Sequence, residues 1–486
     1  MNAPATPGQA LATEGAAAGV PDALPFRIEL QEFQGPELPA IQSHIGVMVN
    51  RTLLILGGRT AGLHTFKQPP EQNFPVTAQN NFIWVLDPIY GGPPSKFDVN
   101  SLGPSLADPL QATNQQHWYD REGDLLYVIG GYGWDSVRKR YRVFPSILRI
   151  RAGALVSAVR TGATPAQISA LIEAGEDERL AVTGGTLRKL AGRFLLVFGQ
   201  RFDGAYAAFG GDFQQQYTNE IRVFTLRPNS LELLSYGELT NSDPSQPFHR
   251  RDGVVVDSVD PATGEARVAA FGGVFQPGII GGYTTPVYIA QANGQPQATV
   301  DTRVSQLFSQ YECPVVVVHQ SSARRVFHTF FGGIGHYWYG FSESQKKAYD
   351  LVSDEGRNDG LPFVGAVTTM VQDAAGNYQQ WIVPGLIPNQ RLLGASTDFV
   401  MTSDVAAAAY GKNGVIALDA LPAGRNFIGV IYGGIEAQNP LPLAPNTGTS
   451  PSNSLFGVYL TRTPVAALPA AEYGHEANRN SGYTRE

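Results

Sequence analysis

One short pattern recurs along the chain and restricts its fold: an apolar run of strand-like composition that ends in a glycine pair. An apolar strand buried on both faces must end in a sharp turn with positive φ, which only glycine reaches without steric cost. Five copies end in Gly-Gly and a degenerate sixth ends in Gly-Gln: residues 53–58, 125–131, 194–200, 268–273, 328–333 and 428–434. Six copies predict six structural units.

Each unit contains further segments of β-type composition. One precedes the glycine-ended strand, as at residues 45–49 and 253–256. An Asn-led segment follows after a variable loop, and a fourth, outer segment is recognisable in some units. Examples of the last two kinds are residues 81–87, 219–224 and 453–459, and residues 96–99 and 231–234. Four strands per unit are therefore predicted.

A strand that ends in Gly-Gly, followed by an Asn-led strand with an aromatic residue, resembles the kelch repeat family. Asn81, Trp84 and Asp87 form the closest local match, and the resemblance covers roughly residues 25–464. It implies an all-β, six-bladed kelch-type β-propeller. The first glycines stand 73, 69, 73, 60 and 101 residues apart, more than the roughly 50 residues of a kelch unit, so long inserted loops are expected. The Gly199-Gln200 copy departs from the family pattern.

The two ends of the chain are predicted to close the ring. The last unit has no clear fourth strand, whereas residues 26–33 alternate in polarity and precede the first unit. We expect them to pair with the strand near residues 455–460, which would leave no open sheet edge. The predicted propeller spans residues 25–465, with flexible tails at 1–24 and 466–486.

Two insertions are distinctive. Residues 164–175 have a Thr N-cap, Pro at the first helical position, Gln at the third and a final Gly. This pattern predicts one short helix between the second and third blades. Residues 341–360 are polar and charged and predict a protruding loop.

Composition limits the possible partners. A net charge of −7 and a pI near 5.7 argue against a nucleic-acid or anionic-membrane surface. The start of the chain has no secretion signal and no stretch has the length of a membrane span, so a cytoplasmic location is expected, with export by a signal-less route left open. Cys313, the single cysteine, excludes an intramolecular disulfide and is expected to be a small buried apolar residue.

In a kelch-like blade the loops after the glycine pairs open on one face of the disc, and here they are aromatic. Aromatic rings with polar tips on one surface favour contact with protein or carbohydrate. The predicted partner-binding residues are Tyr132, Trp134, Phe202, Asp203, Tyr206, Tyr283, His336, Tyr337, Trp338 and Tyr339. The alternative is that these rings pack beneath their own long loops.

A second set of residues is predicted at the channel mouth: His44, His117, His249 and Arg251. His44 and His117 each lie 13 positions before their glycine pair, and His249 is taken to begin the equivalent strand of the fourth unit. A ring of imidazoles could bind a transition metal. An interblade hydrogen bond explains these histidines as well, and no cysteine or carboxylate cluster accompanies them, so no metal and no cofactor is predicted.

Two functional classes follow. Catalytic motifs are mostly missing, since the chain has no Gly-x-Ser-x-Gly, no His-Glu-x-x-His and no phosphate-binding loop. We therefore predict a non-enzymatic binding or scaffold protein that uses its aromatic loop face, possibly within a larger assembly. The alternative is an enzyme that acts on a sugar, with Asp203, His117, His249 or Arg251 as acid, base or anion-binding group. Copper-radical chemistry, known in kelch-like propellers, would require Cys313 in a Tyr-Cys pair.

Overall fold

The structure of the protein is a computed structural model. It describes residues 23–33, 38–64, 70–88, 91–206, 213–278, 281–336, 338–339, 348–349, 361–383, 387–402, 414–440, 448–462, 465–466 and 468–469. Strands are the main secondary structure, and six sheets of at least four strands form the body. None of the helices in the described ranges has the length and apolar character needed to cross a membrane.

In the first three sheets, consecutive strands pair with antiparallel neighbours. The strands of sheet 1 are Ile45–Val49, Thr52–Leu56, Phe82–Leu86 and Ser95–Asp98. Those of sheet 2 are Gln116–Asp120, Leu125–Ile129, Ser146–Arg151 and Ile172–Glu176. Those of sheet 3 are Thr186–Leu190, Arg193–Val197, Glu220–Leu226 and Leu233–Thr240. The strands predicted at residues 45–49, 81–87, 96–99 and 219–224 are thus present with ends shifted by at most two residues, whereas the outer strand predicted at 231–234 begins only at Leu233.

Sheets 4 and 5 repeat this order, and sheet 6 is completed from the start of the chain. The strands of sheet 4 are Val254–Val259, Ala266–Phe271, Val287–Ala292 and Gln295–Val300. Those of sheet 5 are Val315–Gln320, Arg325–Phe331, Val367–Asp373 and Tyr378–Val383, flanked by Ile416–Ala417 and Leu468–Pro469. Those of sheet 6 are Phe399–Met401, Arg425–Tyr432, Leu455–Thr461 and Arg27–Glu32.

The pairing of the two chain ends confirms the closure predicted from sequence. Arg27–Glu32 lies antiparallel to Leu455–Thr461, with Arg27 opposite Thr461. Ala23–Leu24 also pairs with Val465–Ala466, and Leu468–Pro469 adds to sheet 5, so paired backbone occurs at the end of the predicted N-terminal tail and at the start of the predicted C-terminal tail. An outer strand taken from the N-terminus covers an edge that would otherwise expose unpaired backbone groups.

Each sheet packs against the next through its own apolar core, and the series closes on itself. In sheet 1, Leu54 packs towards sheet 2, whereas Leu53 and Ile55 pack towards sheet 6. Equivalent cores join sheets 2 and 3, 3 and 4, 4 and 5, and 5 and 6. Alternate side chains of one strand therefore enter two different cores. Both faces of the sheets are buried, which explains the continuous apolar runs in the sequence.

The glycine pairs are required by contacts between neighbouring sheets. A Cβ on Gly332 would lie 1.9 Å from the Leu393 carbonyl oxygen, in the segment that leads into sheet 6. Gly332 and Gly333 both have positive φ, at 61° and 90°. In the degenerate copy this conformation is adopted by Phe198 and Gly199, with φ of 58° and 93°. The structural doublet is therefore Phe198-Gly199, and the alignment on Gly199-Gln200 was wrong by one residue.

A closed ring of six backbone hydrogen bonds runs along one end of the first strands. In each bond the amide of one sheet donates to the carbonyl of a neighbouring sheet, at 2.7 to 3.3 Å. All six residues have positive φ. They are Ser43, Asn114, Gly184, Asp252, Glu312 and Ser396, here called the hydrogen-bonded ring. Each stands at the same place in its unit, shortly before the first strand, which gives the six units a common geometry.

The loops after the glycine pairs contain strands of their own. One hairpin pairs Tyr132–Asp135 with Arg140–Val143, and a second pairs Gln200–Gly204 with Phe213–Tyr217. A three-stranded sheet consists of Leu392–Ala395, Ile435–Ala437 and Thr449–Pro451, and Trp338–Tyr339 pairs with Ala348–Tyr349. The predicted long loops are thus largely ordered where the structure describes them.

Helices are more numerous than the single one predicted. The predicted helix forms at Pro165–Ser169 with the expected Thr164 capping box, but it ends there because Ile172–Glu176 is the fourth strand of sheet 2. It therefore lies in the connection between the third and fourth strands of sheet 2, and not between the second and third sheets. Three α-helices were not predicted: Pro70–Asn73, Pro104–Leu110 and Ala152–Arg160. The 3-10 helices are Val76–Ala78, Val99–Ser101, Glu178–Leu180, Pro388–Gln390 and Leu418–Ala420.

Candidate functional site

The first strands of all six sheets surround one cavity of about 720 Å³, here called the central cavity. One end is bounded by the hydrogen-bonded ring, all six members of which line it. At the other end the lining residues Arg121, Glu122, Gly192 and Gly414 are exposed to solvent. The cavity therefore opens on the face of the turns between first and second strands, opposite the glycine-pair loops. Its volume lies within the usual range for small-molecule sites.

Every sheet, or the segment leading into it, contributes an ionisable side chain to this wall. These are His44, His117, Arg188, Asp257, Glu312 and Asp398, for sheets 1 to 6 in order. Sequence analysis selected only the two histidines. The others occur in apolar strands or turns with no motif around them, and only the closed arrangement of the sheets brings them together.

Asp257 and Asp398 are carboxylates without a protein partner. Neither makes a hydrogen bond or ion pair with any described residue, and Asp398 is exposed to the cavity. Burial raises the pKa of both groups, and the Arg188 guanidinium opposes the rise. Arg188 itself is anchored on backbone, donating to the carbonyls of Leu187 and Val255 at 2.9 and 2.5 Å. The two carboxylates are therefore free to bind a ligand.

His44 and His117 are neutral at physiological pH. Burial lowers the pKa of His44 to about 4, although Asp398 nearby opposes this, and lowers that of His117 to about 3, with Arg188 adding to the effect. The His44 ring packs edge-on against Tyr432, with 5.6 Å between ring centroids. Its Nδ1 is buried without a hydrogen-bond partner. A neutral imidazole offers one acceptor nitrogen and one donor, whichever tautomer is present.

The hydrogen-bonded ring carries two acidic side chains in adjacent positions. Burial raises the pKa of Glu312 well above its usual range, and neighbouring Asp252 adds to the rise. The Ser396 hydroxyl donates to Glu312 at 2.6 Å. Asp252 accepts a hydrogen bond from Arg251 at 2.5 Å, so its charge is balanced within the protein. Cys313, next in sequence, is buried as predicted, and burial raises the pKa of its thiol.

On the loop side of the ring, the predicted partner-binding aromatics pack together. Tyr132, Phe202 and Tyr206 are buried and form a cluster with Phe74 and Tyr141. The hydroxyl of Tyr132 donates to the Gly204 carbonyl at 2.7 Å. These contacts correspond to the alternative considered from sequence, in which the rings pack beneath their own loops. The prediction that they bind a partner stays a prediction.

The cap over the ring is built from loops of several sheets. Leu63, in the loop after Gly58 of sheet 1, packs against a cluster that contains Val274 and Ile334 from the loops of sheets 4 and 5. Sheet 4 lies opposite sheet 1 in the closed series of sheets. The loops of sheets 1, 4, 5 and 6 therefore share one apolar cluster on this side of the ring.

The remaining loop residues vary in exposure. Tyr283 is buried, and its hydroxyl donates to the Gln246 carbonyl at 2.8 Å. Trp134 is half-buried against Tyr141, and Asp203 is paired with Arg201 at 2.8 Å. Among the other three, the Nδ1 of His336 accepts from the Gly282 amide at 3.3 Å. Tyr337 lies outside the described residues, and for Trp338 and Tyr339 only the backbone pairing is described.

The four predicted channel-mouth residues divide into two pairs. His44 and His117 line the central cavity, whereas His249 and Arg251 lie on the loop side and both contact Tyr217. His249 was wrongly taken as the start of a strand, because it precedes ring residue Asp252 by three positions while His44 follows Ser43 directly. In each unit the positive-φ ring residue separates the loop side from the cavity side. A simple count back from the glycine pair does not reveal on which side of it a histidine lies.

The structure also bears on metals and on the enzyme alternative. Within the described ranges, no three His, Cys, Asp or Glu side chains are grouped so that they could hold a metal ion. Asp203 and His117 lie on opposite sides of the ring and cannot act on one substrate atom. The acid, base and anion-binding groups suggested from sequence do not form one constellation.

Comparison with known proteins finds likenesses among solved structures. No family model matches the sequence, and no curated protein matches it. Among solved structures, the "Structure of YjhT" covers 86% of this chain and 99% of its own, with 12% identity and a TM-score of 0.46. The sheets themselves show an all-β chain of several four-stranded antiparallel sheets, an arrangement compatible with a propeller.

Proposed function

We propose that this chain is a six-bladed kelch-type β-propeller that acts as a non-enzymatic binding protein, with its ligand site in the central cavity. Three observations support the architecture: six sheets with the same strand order, apolar cores that close in a cycle, and the hydrogen-bonded ring. The resemblance to kelch repeats rests on the glycine-ended strands, which these inter-sheet contacts explain.

The observation that carries the binding site is the pair of unpartnered carboxylates, Asp257 and Asp398, inside a cavity of about 720 Å³. Asp398 is exposed to the cavity and Asp257 is half-buried, so both carboxylates can be reached by a molecule that enters. The open rim at Arg121 and Gly192 supplies an entrance.

A blocked variant tests this site. Thr186 lines the cavity on the first strand of sheet 3, so Thr186→Phe should fill part of it. Thr299→Phe, on the exposed outer strand of sheet 4, makes the same chemical change away from the cavity. Thermal-shift screening with a library of small polar molecules should find a ligand that stabilises the wild type by roughly 2.7 kcal/mol at a hundred times its Kd.

The expected pattern is that Thr299→Phe responds as the wild type does, while Thr186→Phe loses the shift. Equal shifts in both variants would move the site away from the central cavity. A full screen with no ligand for the wild type would refute the proposal.

The loop face is a second candidate, as a platform for a protein partner. The hairpin Tyr132–Asp135/Arg140–Val143 projects Val137 at its tip with 70% of its surface exposed, next to half-buried Trp134. Exposed apolar residues on a rigid hairpin suit an interface. Native mass spectrometry should then show an assembly heavier than the 52.3 kDa chain, and Val137→Asp should dissociate it. A monomer in both samples would remove this candidate.

A further inference from the structure

The charges that line the central cavity do not cancel. Asp120 and Glu122 at the rim are matched in number by Arg121 and Lys189, and Asp252 is paired with Arg251. Among the described lining residues, the interior then holds Asp257, Glu312 and Asp398 against one cation, Arg188. Burial favours the neutral form of Glu312. With Asp257 and Asp398 ionised, the interior keeps an excess of one negative charge.

The histidines do not offset this excess. His44 and His117 titrate at about 4 and about 3, so both are uncharged at neutral pH. Arg188 is held on two backbone carbonyls, and it acts on Asp257 and Asp398 only electrostatically, without an ion pair or hydrogen bond to either. The walls therefore present two carboxylates, and in His44 an additional acceptor, to whatever enters.

We propose that the central cavity binds a small organic cation with one primary ammonium group. The ammonium group donates hydrogen bonds to Asp398 and His44, and Asp257 supplies further electrostatic attraction. The inference rests on the proposed function, because it assigns the ligand class of that same cavity. An ammonium group has three donors and no acceptor. It would give the unpartnered carboxylate a charge-assisted hydrogen bond and bring the interior to neutrality.

A matched set of three probes tests the charge requirement: 6-aminohexan-1-ol, hexane-1,6-diol and 6-hydroxyhexanoate, which are cationic, neutral and anionic chains of the same length. Isothermal titration at pH 7 should give an affinity for the amine at least tenfold higher than for the diol or the anion. Asp398→Asn should lower the amine affinity at least tenfold. Asp243→Asn, in an exposed turn between sheets 3 and 4, should leave it unchanged.

The pH dependence supplies a second readout. Because a protonated carboxyl no longer attracts an ammonium group, the amine affinity should fall as the pH is lowered from 7 towards the pKa of Asp398. In Asp398→Asn most of this dependence should disappear. A pH-independent affinity in the wild type would contradict the assignment to Asp398.

The outcomes separate the two proposals. If the diol or the anion binds as well as the amine and Thr186→Phe blocks it, the cavity is the binding site but the cation inference is overturned. If the amine binds equally well to Thr186→Phe, the cation inference is overturned as well, since binding occurs elsewhere. If none of the three probes binds the wild type, the cation inference fails, and the library screen decides the fate of the site.

Discussion

The two sides of the hydrogen-bonded ring use polar side chains in opposite ways. On the loop side, the tyrosine hydroxyls donate to backbone carbonyls: Tyr132 to Gly204 and Tyr283 to Gln246, at 2.7 and 2.8 Å. On the cavity side, Asp257 and Asp398 have no protein partner. The aromatic loops were the more conspicuous binding candidate from sequence. The two tyrosine rings are buried and held in place by these bonds, whereas Asp398 is exposed and Asp257 half-buried, so only the two carboxylates can be reached by a ligand in the cavity.

A substitution at the boundary between these two regions should cause the largest loss of stability. Gly332→Ala would place a Cβ 1.9 Å from the Leu393 carbonyl, so we expect a loss of about 4 kcal/mol or more in the free energy of unfolding. Gly424→Ala is the matched control, because Gly424 also has positive φ, at 92°, but has no atom within 4 Å of a Cβ. It should cost about 1 kcal/mol. Equal losses in urea unfolding would mean that only backbone conformation matters.

The loop side should behave as a core. Tyr132→Ala removes a buried ring from the aromatic cluster and should cost about 3 kcal/mol. Tyr132→Phe, which removes only the hydroxyl and its bond to Gly204, should cost about 1 kcal/mol. Val137→Ala, at an exposed hairpin tip, should stay within about 0.5 kcal/mol of the wild type. A Tyr132→Ala protein as stable as the wild type would show that the loop rings are surface residues.

Acid should weaken the fold through its buried histidines. Burial lowers the pKa of His44 to about 4, and of His64, His117 and His328 to about 3. The unfolded chain takes up these protons near pH 6.5, so stability is full above that pH and falls as the pH drops towards 4. Between pH 6.5 and 5 each histidine should lower the free energy of unfolding by roughly 2 kcal/mol. Buried acids with raised pKa, such as Asp257, act in the opposite direction.

Urea unfolding as a function of pH measures this effect. His328 is fully buried, and its Nε2 is 3.0 Å from the Ser258 hydroxyl. In His328→Gln the loss of stability between pH 6.5 and 5 should be smaller by roughly 2 kcal/mol, the contribution of one histidine. An unchanged pH profile in this variant would show that His328 takes up its proton at the same pH in the folded and the unfolded state.

The smallest effect is expected in the cavity. Burial raises the pKa of Asp398, so its charged form is disfavoured by folding at neutral pH. Asp398→Asn should therefore be neutral or stabilising, by less than about 1 kcal/mol because the side chain is open to water that screens it. This gain exists above the folded pKa and disappears as the pH falls below about 3.9, where the carboxyl is protonated in both states. A clear loss of stability would indicate a structural role for Asp398.

Much of the fold was predictable because the relevant signals are local. Apolar runs that end in paired glycines predicted the second strands, and alternating residues 26–33 predicted the strand that completes sheet 6. The helix at Pro165–Ser169 was recognised from its capping residues. Its end was misjudged because Ile172–Glu176 is held by pairing with Ser146–Arg151, a contact between residues far apart in sequence.

The candidate site was only partly predictable, for a related reason. His44 and His117 were selected by their spacing, but Arg188 and Asp257 stand in strands and Asp398 just before one, with no common motif. Their shared property is that each faces the same axis, and this depends on the packing of six sheets. Likewise, His249 and Arg251 were assigned to the channel although they precede the positive-φ residue Asp252 and lie on its loop side.

The amino-acid sequence by itself determined the strands, their number per unit and the way the two chain ends meet, because hydrophobic periodicity and glycine turns act over a few residues. Only the tertiary structure decided which side chains share a space. Phe198 can take the place of a glycine because its unit tolerates a Cβ where the Leu393 carbonyl excludes one at Gly332. Tyr132 became core because the Gly204 carbonyl and neighbouring rings enclose it, whereas Asp398 faces the open cavity, where no described residue is bonded to it.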